Sequence, residues 1–324
     1  MQFSMRFDFR NPAFAGTSMA DRYAAALDMA EWADGLGCTM IGVSEHHGVD
    51  DGYMPSPLVM LSAMAARTSN VRFSVSALIA PFHDPLRIAE DFCVLDNISR
   101  GRVDVIVAGG YVEEEFAMFG TTMKQRPRRV TEVVEVLKAA FAGQPFAYRG
   151  RTVQVTPPPF RPGGPMVLLG GSSAAAAHRA ARIADGFVPS VPEFWDTYRA
   201  EAIRLGRSDP GPSRIGQTSV TALARDPEKG WEAMAPFFLY ETNAYGAWRA
   251  KADKPGPYHT TASTEALRAA GNYRVYSPDR LIAELKQTDT PHVPLHPLCG
   301  GMPIDLAWQS LRLFEHEVLP AFAD

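Results

Sequence analysis

Residues 38–57 read CTMIGVSEHHGVDDGYMPSP, and the change of character at Ser44 sets the reading of the whole chain. An apolar run of strand length, 38–44, ends in three titratable side chains, Glu45, His46 and His47, and then enters a loop of Gly, Asp and Pro. Such groups at the mouth of a buried strand are costly to desolvate, so their placement there implies a use. Successive strand residues alternate faces. Gly42 and Ser44 suit a crowded barrel axis and Ile41 and Val43 suit a layer beneath helices, a parity that turns His46 inward and His47 away.

Outward from this strand the same β–α step recurs. The segment 3–9 alternates like a strand and 18–36 has helical spacing; helix 58–67, strand 71–80 and helix 84–99 follow, with Asp84 as a cap and Pro85 at the first helical position. Strands at 102–108, 166–170, 186–190, 215–224 and 292–298 are each followed by helical patterns, at 129–141, 174–184, 193–205, from 227, and at 304–319. Eight such steps argue for a closed parallel (β/α)8 TIM barrel, one domain over 1–324, with insertions near 143–162 and 237–272.

With 324 residues, 46% hydrophobic and 21% charged, the chain has the balance of a globular protein with a large core. A formal charge of −4 with no Lys/Arg run gives no attraction to nucleic acid or anionic lipid. No uncharged apolar stretch is long enough for a membrane span or a signal peptide. Cys38, Cys93 and Cys299 are odd in number and form no C-x-x-C pair, which fits a reducing cytoplasm.

Catalytic groups of such barrels gather at the C-terminal ends of the strands. Those ends carry Glu45 and His46, Ser76 and Ala77, Gly109-Gly110-Tyr111, Gly170-Gly171-Ser172-Ser173, and finally His292 and His296. An inward imidazole at position 46 can exchange a proton near neutral pH. LLGGSSAAAAHRAA joins a strand, two glycines, two hydroxyls and a helix N-terminus, which makes either a phosphate seat or an ordinary cap with a tight turn. No H-E-x-x-H occurs and His292 and His296 bring no ligand at metal spacing, so a metal centre is not expected; no G-x-G-x-x-G points to a resident dinucleotide. The run 237–272 carries Phe237, Phe238, Tyr240, Tyr245, Trp248 and Tyr258 and reads as a lid or pocket wall, or as a helix packed outside the barrel or against a second subunit. Tyr240, Trp248 and His296 are the candidate substrate-pocket residues.

Glu-His-His after the second strand, combined with PFHDPLRIAEDFCVLDNISRGRVDVIVAGG, EEEFAMFG, GPMVLLGGSSAAAAHRAARIADGF and LFEHEVLPAF, resembles the bacterial luciferase-like flavin monooxygenase superfamily over nearly the whole chain. The resemblance implies reduced FMN at the barrel mouth with its ring inside. It places His46 where the family has an active-site histidine that assists formation or breakdown of a flavin C4a-peroxide, with Glu45 beside it. Ser76-Ala77 matches the place of a frequent non-prolyl cis peptide against the ring, Gly109 to Tyr111 lie along the cofactor, and Gly170 to Ser173 match the binders of its phosphate. Luciferase-type members often carry an arginine at the position of Gly109; here the phosphate would lean on backbone N–H groups, Ser172, Ser173 and Arg179.

The implied activity is an FMN-dependent monooxygenase that oxygenates a small organic substrate with O2. Reduced flavin would come from a separate NAD(P)H-dependent reductase, and the protein would be a cytoplasmic homodimer or higher homo-oligomer. A deazaflavin coenzyme with hydride transfer is the alternative carried by part of the superfamily, although Glu-His-His is more typical of the FMN branch; a non-catalytic flavin-binding relative is a third reading.

Overall fold

The computed structural model describes residues 1–213, 219–253 and 258–323. Strand β1 (Gln2–Phe7) leads to helix α1 (Met19–Gly35), whose first turn is capped by Ser18 accepting from the Asp21 amide at 3.1 Å. Then follow β2 (Met40–Val43), α2 (Pro57–Ala66), β3 (Arg72–Ile79), α3 (Pro85–Ser99), β4 (Val103–Ala108), a short α4 (Glu113–Met118) and α5 (Arg126–Phe141). Asp84 caps α3 by accepting from the Leu86 and Arg87 amides, and Pro85 opens the helix where its missing N–H is no loss. A hairpin of β5 (Phe146–Tyr148) and β6 (Arg151–Val153) interrupts the alternation before β7 (Val167–Gly171), α6 (Ala174–Ile183), β8 (Gly186–Pro189) and α7 (Phe194–Arg204). The chain ends with β9 (Val220–Leu223), α8 (Pro227–Ala252), α9 (Thr264–Ala270), β10 (Tyr273–Tyr276), α10 (Pro278–Leu285), β11 (His292–Leu295) and α11 (Ile304–Leu313).

Among the described residues nine strands form one parallel ladder in the order β10-β9-β11-β1-β2-β3-β4-β7-β8. It curls into a barrel with helices outside. Register sets its two faces: Arg6 pairs with Gly42 and Gly42 with Ser74, a layer of inward positions that surrounds a cavity. The alternate residues Ile41, Val43, Phe73, Val75, Val105 and Val107 are wholly buried beneath the helices and form the main core. Fully burying such side chains contributes roughly 1.5–3 kcal/mol each, so the helical layer stabilises the barrel while the small inward residues leave room for a ligand. At the N-terminal end, Asp104 accepts from Arg161 at 2.6 Å and from the Met166 amide at 2.8 Å, and also pairs with Arg72.

Three sequence expectations need correction or restriction. The stretch from Phe237 is not a separate insertion: it takes the helical one of its two expected forms and continues α8 through Ala252, so α8 runs 26 residues. Pro236 and Gly246 lie inside this helix, two signals that disguise a continuous one. A ninth strand, β10, stands directly after the expected insertion, where the sequence reading placed no strand. Of the strand expected at 215–224, residues 215–218 lie outside the described residues, as do 254–257 of the expected insertion and 324 of the domain.

Candidate active site

The chain continues past the end of β2 and the His46 amide donates to the Met54 carbonyl at 3.1 Å, which closes the 45–54 loop over the strand end. His46 faces the barrel cavity and is 5% exposed. Its Nδ1 lies 2.6 Å from Glu115 Oε1, and the same oxygen accepts from the His47 amide at 2.9 Å. Glu115, buried on α4, therefore fixes the imidazole by one nitrogen and leaves Nε2 for a ligand.

His47 turns elsewhere and packs on Phe82 and Phe119. Its Nε2 is 2.8 Å from Glu45, which also receives His83 at 2.7 Å and the Ile79 amide at 2.7 Å. Burial alone would raise the Glu45 carboxyl, but hydrogen bonds from His47 and His83, the His83 charge and the Ile79 amide outweigh it and bring it down to about 2. With both oxygens engaged, Glu45 is a permanent anion that ties β2 to β3. Just upstream, Ser76 and Ala77 line the cavity and are joined by a cis peptide bond.

The cavity measures about 990 Å³, at the upper end of ordinary ligand pockets, with room for a cofactor and a small substrate together. Gly170, Gly171, Ser172 and Ser173 line it where β7 passes into α6, and Ser173 caps that helix by accepting from the Ala176 amide at 3.3 Å. Arg126 and Arg179 line the cavity as well. Burial lowers both guanidinium pKa values, and among the described residues no carboxylate comes within ion-pairing distance of either. Arg126 donates to the Gly110 carbonyl at 2.8 Å and packs where a side chain at 109 would go: a Cβ on Gly109 would lie 3.4 Å from Arg126 Cβ. Gly110 has φ of 71°, and a Cβ there would meet Ile79 at 2.8 Å, so the turn at the end of β4 requires glycine. The neighbouring Tyr111 hydroxyl is pushed up to about 12 by burial, against the charge of Arg249.

The remaining wall comes from α8. Tyr245 and Tyr53 pair through their hydroxyls at 2.6 Å, and the Trp248 ring lies 4.5 Å from the His46 ring. Tyr53 and Tyr245 line the cavity; Tyr240 and Trp248 stand behind that lining. Tyr240 donates to Asp51 at 2.9 Å. His296 is fully enclosed, between Asp8 at 3.5 Å and Glu241 at 3.3 Å. Glu241, His296 and Cys299 bring ligand atoms within 4.8 Å of one another, but Arg6 already sits on the Glu241 carboxylate at 2.7 Å. A fixed guanidinium there disfavours a metal cation.

Sequence reasoning passed over Glu115, Arg126, Tyr53 and the buried Arg10. The one available signal was an acid beside Phe116 in EEEF, at a position that the helix buries. Among the described residues no helix is long and apolar enough to cross a membrane.

A model of the family described as luciferase-like monooxygenase matches residues 1–275. The chain is 26% identical to the monooxygenase RslO1 from Streptomyces bottropensis, whose crystal structure superimposes over 100% of both chains with a TM-score of 0.79. The oxygenating constituent of 3,6-diketocamphane monooxygenase from Pseudomonas putida, a type II Baeyer-Villiger monooxygenase solved with FMN, shares the fold at a TM-score of 0.76 and 20% identity, over 99% of this chain and 98% of that one. The oxygenase component of the flavin-dependent trigonelline monooxygenase of Acinetobacter baylyi is 27% identical over 123 residues, 37% of this chain and 34% of that protein. With a matching model over most of its length, the chain belongs to the luciferase-like monooxygenase family.

Proposed function

We propose that the protein is the oxygenase component of a two-component, FMN-dependent monooxygenase that acts on a small organic substrate and receives reduced flavin from a separate reductase. The observation that carries this reading is one cavity lined by two chemically distinct sets of groups. His46, held by Glu115, offers a single nitrogen to the cavity; Ser172, Ser173, the first turn of α6, Arg126 and Arg179 line it as well, and among the described residues neither arginine is ion-paired. Glycines, hydroxyls, a helix N-terminus and two uncompensated cations suit the phosphate of FMN. The donor set fits the group.

Reduced FMN, when bound, supplies the electrons that activate O2. The chain's own part is to bind, orient and shield. Gly170 to Ser173 would hold the phosphate, and the small inward residues Gly42, Ser44, Ser74 and Ser76 leave the barrel axis open for the ring. His46 would take or return one proton through Nε2 while Glu115 holds Nδ1, an arrangement that contributes about 10²–10⁴-fold in comparable enzymes. The rings of Tyr53, Tyr245 and Trp248 pack on the His46 imidazole and would shield it from water once the cavity is filled. A flavin-dependent oxygenase component among the relatives supports the same assignment and a separate reductase.

The test is to mix the protein and photoreduced FMN with aerated buffer. Slowed flavin reoxidation through a transient absorbance distinct from both end states is the expected result. Reoxidation at the rate of free FMN, together with tight binding of reduced deazaflavin, would replace this reading with hydride transfer.

A further inference from the structure

Arg10 follows β1 by three residues and is 1% exposed, yet it does not line the cavity. Its guanidinium carbon sits 4.8, 4.8 and 4.7 Å from the ring centroids of Tyr53, Tyr245 and Trp248. These same rings contact His46, at centroid distances of 4.8, 6.3 and 4.5 Å respectively. The three rings are thus shared between a buried cation and the imidazole of the candidate site. They come from two unrelated places, the loop after β2 and the second half of α8, with Arg10 between them in contact terms.

The Arg10 charge is itself anchored, by an ion pair with Asp51 and by Asp8 at 3.8 Å. Burial would favour losing the proton, but the fields of the Asp8 and Asp51 carboxylates outweigh it and keep the guanidinium charged. Arg10 Nε and Nη2 are buried without a hydrogen-bond acceptor. With hydrogen bonds satisfying only part of the fork, ring faces are what remain to hold its plane, the geometry in which guanidinium and aromatic groups attract. Asp51 also receives Tyr240 from α8, so the same carboxylate ties the helix and the arginine together.

We propose that Arg10 is a positioning residue: it locks Tyr53, Tyr245 and Trp248 into one wall and through that wall fixes the His46 ring on Glu115. The inference rests on the reading of His46 as the group at the reacting centre, but its test uses no flavin. A short His46 Nδ1–H to Glu115 contact gives a far-downfield proton signal in the flavin-free, 15N-labelled protein, assigned by its loss in His46→Ala. Arg10→Lys keeps the charge beside Asp51 and loses the planar fork. The expected result is a folded variant in which that signal broadens into exchange and Trp emission shifts; in the FMN-loaded enzyme kcat falls about 10-fold with the FMN Kd unchanged. A folded Arg10→Lys with the signal and the imidazole titration unaltered overturns the proposal.

Should Arg10→Lys fail to fold, the wild-type spectrum decides. A slowly exchanging Arg10 Nε–H with cross-peaks to Trp248 and Tyr245 supports the locked wall, and fast guanidinium rotation without such cross-peaks refutes it. Failure of FMN to bind would remove the flavin reading and leave the His46 signal and its response to Arg10→Lys measurable.

Discussion

On the strand-end wall of the cavity, Gly110, Gly170 to Ser173 and His46 lie within a few residues of the strands that place them. On the α8 wall, Tyr245 meets Tyr53 across 192 positions of sequence, and Arg6 meets Glu241 across 235. The first wall is built mainly from backbone features: a glycine with positive φ and a capped helix start. The second works through side chains that no local rule brings together, an ion-pair and aromatic network running through Arg10, Asp51, Tyr240 and Tyr245 and reaching Glu241 by way of Asp8 and His296. The contrast separates duties. On the proposed reading the strand ends bind and react, and the helix packed on them sets the dielectric and the shape in which they do so.

If the strand-end wall carries the chemistry, His46→Ala should show the largest effect. Turnover at saturating reduced FMN is expected to fall about 10³-fold, with the melting temperature and the FMN Kd close to wild type. Steady-state kinetics beside a melting scan checks this, and unchanged turnover would transfer the proton chemistry to the other wall.

Glu45→Gln should act on stability instead. A carboxyl held at about 2 against an ordinary 4.5, and buried, contributes about 3 kcal/mol at neutral pH. Because the folded pKa is depressed, that contribution is fully present above the ordinary carboxylate range and is lost as pH falls towards 2. Urea titrations at several pH values should therefore find the variant weaker by about 3 kcal/mol at pH 7 and the gap closing below about pH 4. A gap independent of pH would mean that lost packing, not charge, causes the difference.

How far each wall was legible follows from the same contrast. Strand β2, its Glu-His-His end, Asp84-Pro85 and Gly170 to Ser173 could be read from the sequence because alternation, capping and turn chemistry act over a few residues. Glu115 was not, since an acid in EEEF looks solvated until α4 buries it beneath His46. Arg126 was missed because its position depends on the absent side chain at Gly109, a complementarity between β4 and α5. The helix through Pro236 and Gly246 was read as an insertion because both residues are breakers by local propensity, and tertiary packing overrides propensity here.

Smaller effects sharpen the division. Ser172→Ala combined with Ser173→Ala is expected to weaken FMN about 10-fold, the size of hydrogen bonds to a charged group, while riboflavin, lacking the phosphate, loses little. Isothermal titration with both flavins reads the difference, and equal weakening would remove the phosphate from this part of the cavity. Trp248→Leu should change substrate KM only a few-fold, with FMN affinity untouched, since its ring contacts His46 from behind the cavity lining. If it changes the oligomeric state instead and leaves KM alone, that face of α8 serves an interface.

On the proposed reading this cavity holds a flavin that carries a phosphate, with His46 as the group that exchanges a proton. Anaerobic titration of the protein with reduced FMN, reduced riboflavin and a reduced deazaflavin coenzyme tests it most directly. FMN is expected to bind at least about 10-fold more tightly than riboflavin and more tightly than the deazaflavin. Equal affinity for FMN and riboflavin, or a preference for the deazaflavin, would contradict it.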